Sequence, residues 1–306
     1  MIEGQEDVTW DEWRGIAAAC EEHGIVTLFR SDHYLPLAGH PDRGSLDAWA
    51  TIAALGAVTS EVRLGTLVSP ATFRHPSELA KVVASADHIS GGRVELGLGS
   101  GWHDREHEAF GFPFRPLAER LAVLEEQLQV VAGEWADDGP FSFDGEHYSI
   151  REVEARPKPV QRPRPPLILG GQGGRRSVAL AARLADEYNT FYKTADEVRD
   201  IRAALDDACR EQGRDPIPLS LMTGWLVGDD RSDLVAQAER LAEWRGHDGD
   251  AESFIAGAPD AWIVGTVDEA KERLEELTAA GVSRVMAQHL YHRDLDGIAR
   301  IGRMSS

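Results

Sequence analysis

The chain has 306 residues, 42% hydrophobic and 27% charged, with 52 acidic against 32 basic side chains and a formal net charge of −20. This is the composition of a globular protein with a sizeable core, and it excludes wholesale disorder and fibrous folds. No run of five or more Lys/Arg offsets the acidity, which argues against nucleic acid or an anionic membrane as partner.

No window nears the roughly 18 apolar residues of a membrane span. The first residues, MIEGQEDVTW, are acidic without an apolar centre and do not read as a secretory signal. Two cysteines, Cys20 and Cys209, exclude a disulfide scaffold and point to a reducing cytoplasm.

Capping boxes at Thr9/Glu12, Thr194/Glu197 and Thr266/Glu269 predict three helix starts, because each Thr and Glu can satisfy free amides of a first turn. The first helix ends at Gly24, and residues 25–29 (Ile-Val-Thr-Leu-Phe) predict a buried strand. A helix over 46–58 and a strand over 62–68 follow. Pro76 opens a helix with Leu79, Val82, Val83, Ala86 and Ile89 on one face, and 94–98 is the next strand.

An interruption occupies about 101–166. It holds a helical stripe (Leu117, Leu121, Leu124, Leu128, Val131) and a hairpin of 141–143 and 147–150 about Asp144-Gly145, with a four-residue loop as the alternative turn. A proline-rich connector from Pro157 to Pro166 completes it. We read it as an insertion, because the rhythm resumes at once: strand 167–169, helix 174–185, strand 187–191, helix 194–212, strand 219–227, helices 232–244 and 266–280, strand 284–288 and a terminal helix.

Alternating strands and helices imply a parallel sheet. Seven strands are visible and only Met1-Ile2-Glu3 is available for an eighth. The expected fold is a (β/α)8 barrel, a single domain over 1–306, with the insertion between strands 4 and 5 and a first strand that is short or cut by a misassigned start. A doubly wound open sheet is the runner-up.

Reactive groups of such a barrel gather at the C-terminal ends of its strands. Those positions hold Ser31-Asp32-His33, residues 69–75, Gly99-Ser100-Gly101-Trp102, Gly170-Gly171-Gln172-Gly173-Gly174, Asn189-Thr190, Thr223-Gly224-Trp225 and Gln288-His289. His33 is a candidate proton carrier, with Asp32 as its orienter. The alternative is a loop histidine bonded to backbone. The stretch 97–101 fails the dinucleotide pattern, since GxGxxG from Gly97 requires glycine where Trp102 stands. Gly170–Gly174 followed by Arg175-Arg176 is the better phosphate candidate, through free helix-start amides and two guanidiniums; a plain strand-to-helix turn is the other reading. His103-Asp104-Arg105-Glu106-His107 fits H-x-x-E-H, an inverted zinc-protease motif, but glycines and a proline crowd it, and a partly exposed lid turn is preferred. Trp102 and Trp225 fall on the expected rim, where either can wall a flat ring.

Several segments together resemble the bacterial luciferase-like monooxygenase superfamily. They are Ser31-Asp32-His33-Tyr34, residues 63–68, Arg74-His75-Pro76, Asp87 to Arg93 and Gly97 to Trp102, and later Glu106-His107, residues 111–114, Lys158-Pro159, Gly170-Gly171 and Ala185 to Asn189. The ordered set is most similar to the branch dependent on coenzyme F420, a deazaflavin. The resemblance implies a (β/α)8 barrel with the cofactor ring in its mouth, and a non-proline cis peptide matching Leu67–Val68. It implies Asp32 and His33 as catalytic pair. It implies cofactor contacts from Asp32, Thr66, Leu67, Val68, Gly99, Ser100, Gly101, Trp102, Gly170 and Gly171, to which Arg175 and Arg176 add the tail site. The sugar-phosphate dehydrogenases of this branch carry an acidic residue where Trp102 stands, a departure that argues against a sugar-phosphate substrate.

The expected activity is therefore an F420-dependent oxidoreductase acting on a small organic molecule. An FMN-dependent monooxygenase is the alternative, with a non-catalytic cofactor-binding protein and a zinc hydrolase further off. Arg74, His75, Arg175 and Arg176 are the cations expected to meet the phosphate-bearing, glutamate-rich tail. The stretch after Tyr34, residues 103–115 and residues 246–264 are expected to line the substrate pocket. Members of the family are often dimers, which brings in a homodimer as one expectation.

Overall fold

The structure is a computed structural model that describes residues 1–37, 40–137 and 139–304. Helix α1 (Trp10–Glu22), strand β1 (Thr27–Arg30), α2 (Ala48–Val58), β2 (Arg63–Pro70), α3 (Pro76–Ser90) and β3 (Val94–Gly99) come first. The interruption carries α4 (Asp104–Phe110), α5 (Leu117–Trp135), β4 (Phe141–Asp144) and β5 (Ser149–Val153). Then follow β6 (Leu167–Gly170), α6 (Arg175–Leu184), β7 (Glu187–Phe191), α7 (Ala195–Glu211), β8 (Leu219–Gly228), α8 (Arg231–Arg245) and α9 (Ala251–Ala256). The chain closes with β9 (Ile263–Thr266), α10 (Val267–Ala279), β10 (Arg284–His289) and α11 (Leu295–Arg303). All three capping boxes form as read.

The main sheet runs β1-β2-β3-β6-β7-β8-β10, parallel throughout. Two residues close it into a barrel. Ile2 bridges Arg30, donating to the Phe29 carbonyl at 3.0 Å and accepting from the Ser31 amide at 3.1 Å. Met1 donates to the Ala287 carbonyl at 2.8 Å and accepts from the His289 amide at 3.0 Å. The expected short first strand is thus a two-residue staple at the C-terminal rim. Strand β9 was not expected; it pairs with the outer end of β8, Trp225 opposite Ile263. The 141–153 hairpin takes the four-residue loop, its Glu146, His147 and Tyr148 amides all donating to the Glu126 carboxylate. The stripe on α5 buries Leu124, Leu128 and Val131 but leaves Leu117 exposed. Among the described residues no helix is long and apolar enough to cross a membrane.

The barrel interior is filled by inward side chains in layers. At its N-terminal end Arg284 binds Glu95 at 2.9 Å and Glu187 at 2.8 Å, while Arg63 binds Glu95 at 2.7 Å. Asn189 then donates to Ser220 at 2.9 Å. Phe29, Leu67, Ile168 and Met286, with Val68 and Met222, pack the apolar layer. Removing Arg284 leaves two carboxylates without their shared cation, which is the costly way to break a buried ion cluster. Arg284→Met is expected to lower unfolding stability by about 3 kcal/mol at neutral pH. The loss should shrink as acid protonates the stranded carboxylates, which denaturant titration at two pH values would measure.

Candidate active site

Consecutive residues of an extended strand point to opposite sides. Just past β1 this separates Asp32 from His33. The buried Asp32 carboxylate accepts from the Ser69 hydroxyl at 2.6 Å and from two Arg74 nitrogens at 2.5 and 3.2 Å. Ser69 accepts in turn from the Trp49 indole at 3.1 Å, and Arg74 also donates to Asp47 at 2.8 Å. Burial alone lowers the pKa of Arg74, but Asp32 overrides it and the guanidinium is held above its usual range. Asp32 is therefore not the orienter of His33; it is the counter-ion of Arg74.

The orienter is Glu106, on α4. Its Oε2 lies 2.9 Å from His33 Nδ1, and its Oε1 accepts from the amides of Tyr34 and, at 3.0 Å, Leu35. The Glu106 side chain is fully buried and that of His33 is 12% exposed. Burial alone pushes the two pKa values toward the neutral pair. Their mutual hydrogen bond and charge reverse both shifts, so His33 is raised and Glu106 lowered. An ionised carboxylate only accepts, so Nδ1 carries the hydrogen and Nε2 is left to exchange a proton.

The segment expected as a partly exposed lid turn is a short helix that leaves Asp104 and Arg105 exposed and buries Glu106 and His107. The zinc reading fails on the same geometry. His107 donates from Nδ1 to the His103 carbonyl at 2.7 Å and pairs through Nε2 with Thr72 at 2.7 Å, while His103 stacks under Trp102. Among the described residues no three His, Cys, Asp or Glu side chains gather to hold a metal ion.

Val68, in the C-terminal half of β2, is partly buried against the apolar layer of the barrel. The Leu67–Val68 bond is cis, as the resemblance implied. A Cβ on Gly99 would lie 2.7 Å from the Val68 side chain and one on Gly170 2.9 Å, so both glycines make room for Val68. The buried Thr66 hydroxyl donates to the Gly97 carbonyl at 3.0 Å. Gly101 has φ +76°, and a side chain there would meet Thr72 at 2.8 Å. Ser100 and Gly101 are half-buried and Trp102 is exposed.

The loop after β6 is held from beneath. Tyr188 accepts from the Gly173 amide at 2.8 Å and meets Ser177 at 2.9 Å, and Ser177 donates to the Gly174 carbonyl at 2.8 Å. No side chain caps α6, so its first amides stay open, and Arg175 and Arg176 are exposed beside them. Arg176 makes one bond, to the Ala118 carbonyl at 2.8 Å. Two other expected cations are spent: Arg74 on Asp32 and Asp47, and His75 as the N-cap of α3, accepting from the Ser77 amide.

Three rim candidates lie elsewhere. Asn189 points into the barrel. Trp225 and His289 line a cavity of about 540 Å³ between the barrel wall and the outer helices, with Ile2, Ile16 and Ile298. One rim feature had no sequence signal. Glu3 accepts from its near neighbour Gln5 at 2.7 Å and from Gln288, which itself accepts from Tyr192; Glu3, Tyr192 and Gln288 are remote in sequence and meet only in the closed barrel. Of the expected substrate-lining stretch after Tyr34, Ala38 and Gly39 lie outside the described residues.

The comparisons with known proteins agree with this barrel. A hydroxymycolic acid dehydrogenase of Mycobacterium tuberculosis, named as F420-dependent, is 30% identical over 263 residues, covering 85% of this chain and 68% of that one. A dimethylsulfone monooxygenase of Pseudomonas putida, named as FMNH2-dependent, is 26% identical over 271 residues, covering 79% and 73%. The crystal structure of monooxygenase RslO1 from Streptomyces bottropensis superposes with a TM-score of 0.81 at 23% identity over 96% of this chain and 90% of that one, which supports the fold. The family model for luciferase-like monooxygenases matches residues 2–284, and the chain belongs to that family.

Proposed function

We propose that this chain is a coenzyme F420-dependent oxidoreductase, passing a hydride between the deazaflavin and a small organic substrate at the barrel mouth. The observation that carries this reading is the buried His33–Glu106 pair, 2.9 Å apart, at the end of β1. The cofactor, when bound, supplies the hydride chemistry, and the protein supplies binding, orientation and a proton partner. His33 is the proton partner through Nε2, its pKa held above the ordinary imidazole value by Glu106 against the opposing effect of burial. Asp32 is a rigid contact at the ring, locked by Arg74 and Ser69. Thr66, Leu67, Val68, Gly99, Ser100, Gly101 and Gly170 form the floor and wall of the ring site. Gly171 and the open amides of α6 take the phosphate, with Arg175 and Arg176 facing the acidic tail.

The F420-dependent relative supports this choice of cofactor. The FMNH2-dependent relative supports the second reading, an FMN-dependent monooxygenase on the same site. Titration with each cofactor separates them: F420 should bind the more tightly, and a clear preference for FMN replaces the first reading by the second.

Replacing both Arg175 and Arg176 by Ala should weaken intact F420 about tenfold or more, since a charge-assisted bond contributes roughly 1.5–3 kcal/mol. A tail-less deazaflavin should lose little; equal losses contradict the tail assignment. Glu106→Gln removes the charge that raises His33, so the His33 imidazole should titrate at lower pH, as followed by its NMR resonances. The same variant should lose stability. The lowered Glu106 pKa contributes above the free value of 4.5 and fades as pH falls through its folded value. The raised His33 pKa contributes below 6.5 and fades as pH rises through its folded value. The stability deficit of the variant should therefore be largest between those limits.

A further inference from the structure

The Met1–Ile2 staple leads directly into a carboxylate at the mouth. Met1 packs on the apolar layer inside the barrel, and strand alternation turns Glu3, two residues on, inward above that layer. Gln288 stands two residues beyond Met286 of the same layer and faces inward in the same way. Two chains of donors converge on Glu3. On one side the Ser31 hydroxyl donates to the Gln5 carbonyl, and the Gln5 amide donates to Glu3 Oε2 at 2.7 Å. On the other the Tyr192 hydroxyl donates to the Gln288 carbonyl, and the Gln288 amide donates to Glu3 Oε1. Gln5 and Gln288 are buried, which fixes both amides in this sense. Tyr192 is held at φ +50°, a strained conformation for a tyrosine and one that gathers at functional sites.

Each oxygen of an ionised carboxylate can accept about two hydrogen bonds. Glu3 receives one on each, both from neutral amides, and among the described residues no Lys, Arg or His bonds to it. Its charge is oriented but not neutralised by contact. The cations of the rim are placed otherwise. Arg74 pairs with Asp32 and Asp47, Arg245 lies over Trp262 at 5.6 Å, and Arg175 and Arg176 stand at the start of α6. His33 feels the charge of Glu3 across the mouth without bonding to it.

The topology sets this carboxylate apart from the cofactor's tail. From the staple, β6 is reached after β1, β2 and β3 one way round the barrel and after β10, β8 and β7 the other. Glu3 and the loop after β6, the proposed phosphate site, therefore face each other across the mouth, and the acidic tail has no attraction to Glu3. Tyr192, joined to Glu3 through Gln288, is 37% exposed. A carboxylate with an accessible aromatic ring beside it is the chemistry that holds a protonated nitrogen.

We infer that Glu3 is a specificity-determining residue: with Tyr192 it forms the substrate side of the mouth and selects an organic substrate that carries a protonated amine. The inference rests on the functional reading above, which places the cofactor ring and His33 at the same mouth. A carboxylate that only fastened the staple to β10 would need its two amides but not its charge, and the test separates the two roles.

The test uses the cofactor-loaded protein and its Glu3→Gln and Glu3→Asp variants, with denaturant midpoints to show that each is folded. Cofactor occupancy is read from absorbance, and binding of benzylamine, benzyl alcohol and benzoate from calorimetry at neutral pH. The parent should bind benzylamine at least about tenfold more tightly than benzyl alcohol, and benzoate most weakly. Glu3→Gln should weaken benzylamine about tenfold and benzyl alcohol by no more than about threefold. Glu3→Asp keeps the charge and should retain most of the affinity for benzylamine, and both variants should bind the cofactor as the parent does. The inference is overturned if the loaded parent takes no benzylamine or does not prefer it, if Glu3→Gln binds it normally, if Glu3→Asp loses as much as Glu3→Gln, or if cofactor and benzylamine weaken together. If the parent protein takes neither F420 nor FMN, the functional reading itself fails and the inference falls with it.

Discussion

One buried carboxylate ties the C-terminal rim of this barrel together. Glu106 belongs to α4 in the interruption after β3, yet its acceptors are used by the segment that follows β1: the imidazole of His33 and the amides of Tyr34 and Leu35. Burying an ionised carboxylate is unfavourable unless several donors replace its water, and three donors from one short segment do so. The bond joins chain segments some seventy residues apart, |i−j| = 73 for the His33 pair. It makes α4 part of the site wall, and it gives His33 one defined tautomer.

The remaining polar groups of the mouth follow the same logic of pairing within the protein. Asp32 neutralises Arg74 and fixes Ser69, which anchors the Trp49 indole of α2 to β2. The two-residue staple is followed by Glu3, whose carboxylate two glutamine amides hold. Among the described residues, the groups left open include the first turn of α6, the solvent-facing ring of Trp102 and Nε2 of His33. These are the groups with capacity to meet a bound molecule.

Much of the barrel was legible because its signals are local. Thr-x-x-Glu boxes cap helices through neighbours in sequence, and β2, β3 and β8 are apolar runs of the kind a doubly covered parallel strand requires. A short or truncated first strand was expected from counting strands against the closure of a barrel, and Met1 and Ile2 supply it. Strand β9 escaped because four residues after a turn-rich stretch carry no period. The site was legible only in outline. His33 was singled out, but its hydrogen-bond partner was misjudged because adjacency in sequence was taken for adjacency in space, whereas an extended strand turns Asp32 and His33 apart. Glu106 was noticed only inside a zinc-like pattern; helical spacing buries it with His107 but sends the two to different partners. Trp225 was misplaced by the same alternation, since its side chain lies on the outer face of β8.

The central claim is that a flat redox ring rests on Val68 with His33 poised beside it. A crystal structure of the protein with bound F420 tests it most directly. The account predicts the ring against Val68 and Gly170, the tail phosphate at the start of α6, and His33 Nε2 within about 3.2 Å of a polar atom of the ring or of a bound substrate. A ring lodged elsewhere, or His33 turned away from it with Glu106 still attached, would contradict it.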